Sequence, residues 1–422
     1  MLDLKRVREN PDLVKKAVAE KNEKADIDAV CALDDERKRI IAEVETLKAE
    51  RNKGSKEIGQ AKREGKNTDT IQARMKENAD RIKELDLRQT NVEKELRGHL
   101  LAIPNMPHES APQGASAAGN VVVRTSGEVT QLPFEAKNHV ELSETLDILD
   151  FKRGAKIAGS GFVVYKGAGA LLERALINYF LDTNTAAGYT EIFPPFMVTP
   201  DCAEGTGQLP KSRDQMYYVN EDDLFLIPTA EVPVTNIYRD EVLNGKDLPI
   251  NMTAYSACFR REAGSWGKDT RGFLRVHEFN KVEMVKFTEP EKSYEEHEKL
   301  VVNAEALLTG LGLPYRVLLL CRGDMSFAAA KCYDLEVYAQ GEKRWLEVSS
   351  CSNFEDFQAR RANIRYRNKE GKVQFVHTLN GSGLATARII VAILENYQNE
   401  DGSITVPQVL RPYMHGMEKI SK

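Results

Sequence analysis

No run in this chain approaches the roughly 20 apolar residues that a membrane-spanning helix requires. The first residues, MLDLKRVRENPDLVKKA, hold no apolar block of the signal-peptide kind, so a cytoplasmic address is the expectation. Cysteine is sparse and scattered. Cys31, Cys202, Cys258, Cys321, Cys332 and Cys351 form no C-x-x-C pair and no His cluster joins them. That argues against a zinc site or a disulfide framework and leaves reduced, mostly buried thiols. Glycine (28) and proline (16) stand at ordinary globular levels in 422 residues, which excludes collagen-like and low-complexity chains. Net charge is small, −5, so the averages give no sign of a nucleic-acid partner. No G-x-x-x-x-G-K-[ST] occurs, so a P-loop is unsupported. Gly381–Thr386 (GSGLAT) resembles half a dinucleotide fingerprint, but its sixth position is Thr386 and no acidic residue follows on a strand. Internal repeats are absent. The length allows two or three domains and at least one large core.

What is present begins with a seam. Val30, Leu33, Arg37, Ile40, Val44, Leu47, Arg51, Gly54, Ile58 and Ala61 follow one another in steps of three and four. So do Ile71, Met75, Asn78, Ile82, Leu85, Gln89, Val92, Leu96, His99 and Ile103. Such steps mark the buried stripe of a coiled coil. Gly65 and Asn67 lie between the two sets as turn residues. Two long helices joined by a short turn run antiparallel, and about 32 residues at about 1.5 Å each make an arm roughly 48 Å long. Near its tip, Lys48–Lys66 carries seven basic and three acidic residues, a net of +4 on an acidic protein. A phosphate-contacting surface, a solvated coiled-coil face and a dimerisation arm are all compatible with that charge.

Ile103–Asn120 is rich in Pro, Gly and small residues and reads as a linker. Beyond it, short apolar runs near Val121, Ile192, Val282 and Leu335 read as strands. Ala170–Asn184 and Thr386–Gln398 read as helices. The elements do not alternate regularly, which favours α+β with a largely antiparallel sheet over a doubly wound parallel one.

The densest chemistry lies in Ala254–Phe287. Two strand-like runs flank a Gly-rich charged loop and look like a hairpin presenting Arg260, Glu262, Arg275, Phe279 and Glu283. Arginines and carboxylates on a rigid hairpin suit a polyphosphate with a cationic partner or metal. A surface hairpin laced with ion pairs is the alternative.

The motifs then become specific. FRREAG, a loop and RVHEF resemble motif 2 of class II aminoacyl-tRNA synthetases. GSGLATAR (Gly381–Arg388) resembles motif 3, and a long helix followed by GYTEIFPP resembles motif 1. GTGQLPK, IPTAEVPVTNIYRDE, GDMSFAAAKCYDLEVY, SSCSNFEDFQARRANIRYR, HTLNGSGLA and LRPYMHG narrow the resemblance to bacterial-type seryl-tRNA synthetases, from end to end. The resemblance implies an α+β chain with an N-terminal antiparallel two-helix coiled-coil arm and a class II synthetase catalytic domain built on an antiparallel β-sheet flanked by helices. It implies a tRNA-binding domain over residues 1–103 with its arm over about 30–103, a linker over 104–120 and a catalytic domain over 121–422.

It also implies a reaction. Serine and ATP give seryl-adenylate and pyrophosphate, and the seryl group moves to the 3′ end of tRNA-Ser; relatives also charge a selenocysteine tRNA. Arg260 and Arg388 are the implied catalytic residues. Serine binding maps to Thr229, Ala230, Glu231, Arg260, Glu283, Asn380 and Ser382. ATP binding maps to Arg260, Arg261, Glu262, Arg271, Val276, Phe279, Glu347, Val348, Ser349, Ser350 and Arg388. Glu347 and Ser350 match the ligands of Mg²⁺. Phe279 and Arg388 are expected on opposite faces of the adenine. Arg360, Arg361, Arg365, Arg367 and Lys369 either face the acceptor stem or cover a folded surface. Motif 1 implies a homodimer. Trp266, Cys332 and a GSGFVVY string that lacks the arginine often found there depart from the family. A non-catalytic tRNA-binding paralogue is the rival, but Arg260, Glu283 and Arg388 are all retained.

Overall fold

The computed structural model describes residues 1–263 and 272–422. It divides into two compact units, Leu2–Ala19 with Glu23–Pro104, and Met1 with Glu20–Asn22 and Asn105–Lys422.

The smaller unit is dominated by helices α1 (Ile27–Arg63) and α2 (Asp69–Leu101). Asp26 starts α1 by accepting the Ala29 N–H, a side-chain cap on a free backbone donor. Gly65, at φ +67°, ends it in the left-handed conformation that glycine adopts without strain. Asn67 then accepts the Asp69 N–H at 2.7 Å to open α2. The seam follows the predicted spacing, except that Arg51 is exposed and Ile103 lies beyond the end of α2. Val30, Leu33, Ile40, Val44 and Gly54 of α1 are buried, as are Asn78, Ile82, Leu85, Val92 and Leu96 of α2. Burial thins toward the tip, where Leu47, Ile58, Ile71 and Met75 are half-buried, because two helices alone cannot enclose a core. Arg81–Glu43 (2.8 Å), Arg88–Glu36 (2.6 Å) and Arg74–Glu57 (3.0 Å) link the helices across the outside.

These pairings leave the tip charge unbalanced. Glu50 accepts from Asn78, Glu57 pairs with Arg74 and Glu64 with Lys66. Among the described residues, Lys48, Arg51, Lys53, Lys56, Lys62 and Arg63 form no ion pair.

The larger unit is organised by an eight-stranded sheet. Its strands are β1 (Val121–Ser126), β2 (Thr190–Ile192), β3 (Ile250–Phe259), β4 (Glu278–Thr288), β5 (Tyr315–Leu319), β6 (Lys331–Ala339), β7 (Arg344–Asn353) and β8 (His377–Ala385), in the order β1-β5-β6-β7-β8-β4-β3-β2. Every neighbouring pair is antiparallel except the edge pair β2 and β3. Helices α3 (Ala168–Ala186), α4 (Ser293–Gly310) and α5 (Thr386–Asn396) share its core. Leu172, Leu176 and Phe180 of α3, Leu300 and Leu307 of α4, and Ile389, Ile390 and Ile393 of α5 meet Val282 and Met284 of β4 there. α5 is apolar nearly all round and is buried along nearly its whole length.

Two expectations change. Residues 105–120 lie within the larger unit and are not a free tether. Asn105 is buried and its carboxamide donates to the carbonyls of Ala328 (2.9 Å) and Phe354 (2.8 Å). The composition of a linker and that of irregular but anchored backbone are alike, and only the partners distinguish them. Arg260, Glu262 and Arg275 lie just beyond the hairpin strands, not on them. Glu262 sits at φ +48°, outside the extended range that a strand needs.

Leu85 (5% exposed) and Leu87 (66% exposed) give a direct check of the seam. Leu85→Ala should destabilise the arm by about 2 kcal/mol or more, and Leu87→Ala should stay within about 0.5 kcal/mol. Melting followed by far-ultraviolet circular dichroism would separate them; equal effects would mean the register is wrong.

Candidate active site

A cavity of about 600 Å³ lies over the middle of the sheet and is lined from β4, β7 and β8. Strand alternation explains the β4 contribution. Phe279, Lys281 and Glu283 are two residues apart and face the cavity, while Val282 and Met284 face the core. The other two strands need a device. Glu347 and Ser350 are three apart and would point to opposite faces of a regular strand. The register between β6 and β7 skips Val348, a β-bulge that returns both residues to one face. A second shift, opposite Lys281–Glu283, adds a residue to β8 and pairs Ala385 with Lys281, just before α5 begins.

One cluster in the cavity is built of buried ions. Glu283 accepts from the Thr229 hydroxyl at 2.9 Å and is ion-paired to Lys281. The Glu231 N–H donates to Thr229 Oγ1 at 3.2 Å, and its carboxylate accepts from Gln358 at 2.6 Å. Burial, with the Glu283 charge second, pushes the Glu231 carboxyl up to about 7. Asn380 and Ser382 border the same cavity.

The second cluster pairs arginines with an aromatic ring and carboxylates. Arg260 follows β3 directly, and its N–H donates to the His277 carbonyl at 2.9 Å. Its side chain donates to Pro228 O (3.3 Å), and the guanidinium lies 5.0 Å from the Phe279 ring centre. Arg388, on the first turn of α5, donates to Glu347 O at 2.6 Å and faces its carboxylate at 3.4 Å. Glu262 is held by Arg275 at 3.1 Å. Behind Glu347, burial first and the Glu347 charge second raise the Asp334 carboxyl well above the usual range. Ser350 and Cys332 approach to 3.1 Å beside it.

The comparisons with known proteins agree over the whole chain. Residues 1–107 match the family model "Seryl-tRNA synthetase N-terminal domain", and residues 216–397 match "tRNA synthetase class II core domain (G, H, P, S and T)". A serine–tRNA ligase of Clostridium tetani is 56% identical over 425 residues, with 100% of each chain covered. The chain belongs to the seryl-tRNA synthetase family. The seryl-tRNA synthetase of Pyrococcus horikoshii, solved with ATP, matches at a TM-score of 0.94 and 40% identity, covering 100% of this chain and 99% of that one. The cytoplasmic serine–tRNA ligase of Naegleria fowleri, solved with AMP, matches at 0.90 and 30% identity with the same coverage.

Against the seryl-tRNA synthetase pattern, the cavity gathers Thr229, Glu231, Glu283, Asn380 and Ser382 with Arg260, Glu262, Val276, Phe279, Arg388 and Glu347–Ser350. Val348 and Ser349 are buried at its edge, and the Ser349 hydroxyl donates to Ser382 O at 2.7 Å. Two implied residues do not line it. Ala230 is fully buried, and its carbonyl opens the short helix Glu231–Thr235. Arg261 lines a second cavity beside Arg213, Tyr217 and Tyr218, and its backbone N–H donates to Gln215 O at 2.9 Å. Arg271 and Trp266 lie outside the described residues. Cys332 is buried behind Ser350 and does not line the cavity. The basic run is partly structural. Arg361 is buried and donates to Glu204 O and Leu209 O, and Arg360 pairs with Asp356 at 2.7 Å.

Sequence reasoning missed Lys281 and Gln358, and the cavity-lining stretches 206–208 and 326–328. Lys281 was readable, since it shares a strand face with Phe279 and Glu283. Gln358 was not, because only the tertiary fold brings it to Glu231.

Lys281→Met would leave Glu231 and Glu283 without their cation. Breaking a buried pair typically costs about 3–5 kcal/mol. A carboxyl whose folded pKa is raised loses stability as pH climbs toward that value, so the loss should be largest above pH 7 and shrink toward pH 6. Urea unfolding at the two pH values tests this; a pH-independent loss would remove the carboxylate pair as the cause.

Proposed function

We propose that this chain is a serine–tRNA ligase that forms seryl-adenylate and transfers serine to tRNA-Ser. One observation carries the reading: a single cavity joins a hydroxyl-and-carboxylate cluster to an arginine, aromatic and carboxylate cluster. The first suits a small amino acid with a hydroxyl side chain, the second a nucleotide.

The chemistry needs no general base. The attacking group is the serine carboxylate, already ionised at neutral pH. The work is positioning and charge neutralisation on phosphorus. Arg260 holds the α-phosphate and the serine carboxylate, its planar fork matching both. Its present place over Phe279 means that adenine displaces it toward the phosphate. Phe279 and Arg388 then sandwich the adenine, a contact worth about 0.5–2 kcal/mol. Glu231 pairs with the ammonium group, and Glu283 with Ser382 holds the hydroxyl. Alanine would leave those buried groups unpaired, which is the physical basis of its rejection. Glu347 and Ser350 fit Mg²⁺: their oxygens are hard donors, and a cation there would offset the Glu347 charge that helps to hold the Asp334 carboxyl above its usual range. When bound, it would neutralise charge on the phosphates.

The unpaired cations of the arm tip suit the backbone of a folded RNA, read by charge and shape. Phe193, 75% exposed beside the parallel edge strand β2, and the exposed Val121–Val123 of β1 support a homodimer. A cytoplasmic address accords with the family reading. Among the described residues no helix is long and apolar enough to cross a membrane.

Pyrophosphate exchange tests the assignment. Serine should stimulate it and alanine, threonine and proline should not. Arg260→Ala should lower it by about 10² or more; a near-normal rate would remove Arg260 from the mechanism. The raised Glu231 carboxyl adds a pH signature. Below pH 7 it holds a proton that ammonium binding must expel, so KM for serine should rise by up to about tenfold per pH unit on acidification. A flat profile from pH 8 to 6 would separate Glu231 from the ammonium.

A further inference from the structure

Glu395 lies on α5, seven residues beyond Arg388, and is fully buried. Its Oε1 accepts the backbone N–H of His139 and His139 Nδ1, both at 2.9 Å. Its Oε2 accepts the N–H groups of Gly341 and Glu342, both at 2.9 Å. Four donors fill the lone-pair directions of one carboxylate. On the far side of the ring, His139 Nε2 accepts the Phe273 N–H at 3.2 Å. A nitrogen that accepts an N–H carries no proton, so the network assigns the tautomer with hydrogen on Nδ1. Gly272, at φ +73°, permits this approach, since a Cβ there would stand 2.4 Å from His139 Nε2.

Each tethered segment reaches the nucleotide end of the cavity. Phe273, Leu274, Arg275 and Val276 line it, and Arg275 holds Glu262. Gly341 and Glu342 form the turn between β6 and β7, and β7 carries Glu347. α5 carries Arg388. We propose that His139 and Glu395 are positioning residues for ATP: one buried carboxylate, acting through a single imidazole tautomer, fixes the Phe273–Val276 strip against the helix of Arg388 and the strand of Glu347. The proposal rests on the nucleotide reading of this cavity.

His139, Glu342 and Glu395 also bring their ligand atoms within 4.8 Å of one another, the spacing of a metal site. The hydrogen bonds argue against that use. Both oxygens of Glu395 accept from N–H groups, His139 Nδ1 spends its proton on that carboxylate and Nε2 accepts from Phe273, so a cation would have to displace those hydrogen bonds. Glu342, 3.7 Å from Nδ1, is itself drawn to Arg344 at 3.5 Å.

Two measurements on the full-length protein test the proposal. In ¹⁵N-histidine spectra, with His139→Gln used for assignment, His139 should hold its proton on Nδ1. A proton on Nε2, or a metal-shifted nitrogen, would overturn it whether or not the protein is active. In serine-dependent exchange, His139→Ala should raise KM for ATP by about tenfold and leave KM for serine within about twofold. Gly272→Ala, which crowds the same bond from the other side, should do likewise. Equal rises for both substrates, or a fall in kcat alone, would reduce the pair to general packing and overturn the positioning role. Loss of exchange in the parent protein, with the Nδ1 tautomer present, would instead sink the functional reading.

Discussion

A β-strand shows only every second residue to one face, and the cavity depends on two places where that rule is broken. The bulge at Val348 brings Glu347 and Ser350 to the same side of β7. The extra residue in β8 turns Ala385 toward the cavity where α5 begins, three residues before Arg388. β4 needs no such device, because Phe279, Lys281 and Glu283 already alternate. Each bulge forfeits a ladder position in the middle of a buried sheet. The flanking strands are long enough, nine to eleven residues, to hold the register on either side.

The same cavity concentrates charge that the protein only partly neutralises. Lys281 answers Glu283, and Gln358 gives Glu231 a hydrogen bond but no charge. Glu347 acts on the buried Asp334 carboxyl behind it and has Arg388 at 3.4 Å. Such carboxylates suit cationic partners, which the proposed function supplies. On the proposed reading, that prepares the site for an amino acid on one side and a nucleotide on the other. The Glu395 carboxylate, by contrast, is fully satisfied by neutral N–H donors, which suits a structural anchor.

The arm poses a separate physical problem. Two helices can bury a seam but cannot enclose a core, so its stability rests on few residues near the base and on ion pairs along the sides. The tip is free to carry excess positive charge, because its acids are taken up by Arg74, Asn78 and Lys66. An acidic chain with a locally basic tip is invisible to net charge.

The sequence by itself determined what is periodic and local. The seam residues, the turn at Gly65, the strand at Val282–Phe287 and the helix after Thr386 follow from spacing and conformational preference. Its ordered motifs named the family and most of the cavity's charged residues, Arg260, Glu283, Glu347 and Arg388 among them. Only the tertiary structure decided what depends on register and on partners far apart in the chain. It moved Arg261 and Ala230 out of the cavity and anchored residues 105–120. It made Arg361 a buried support, brought Gln358 to Glu231, and joined His139 to Glu395 across 256 positions. The reason is common to all of these. Residue type and spacing specify which side chains share a face, but a one-residue bulge, a left-handed φ or a buried carbonyl decides which face that is and what stands opposite.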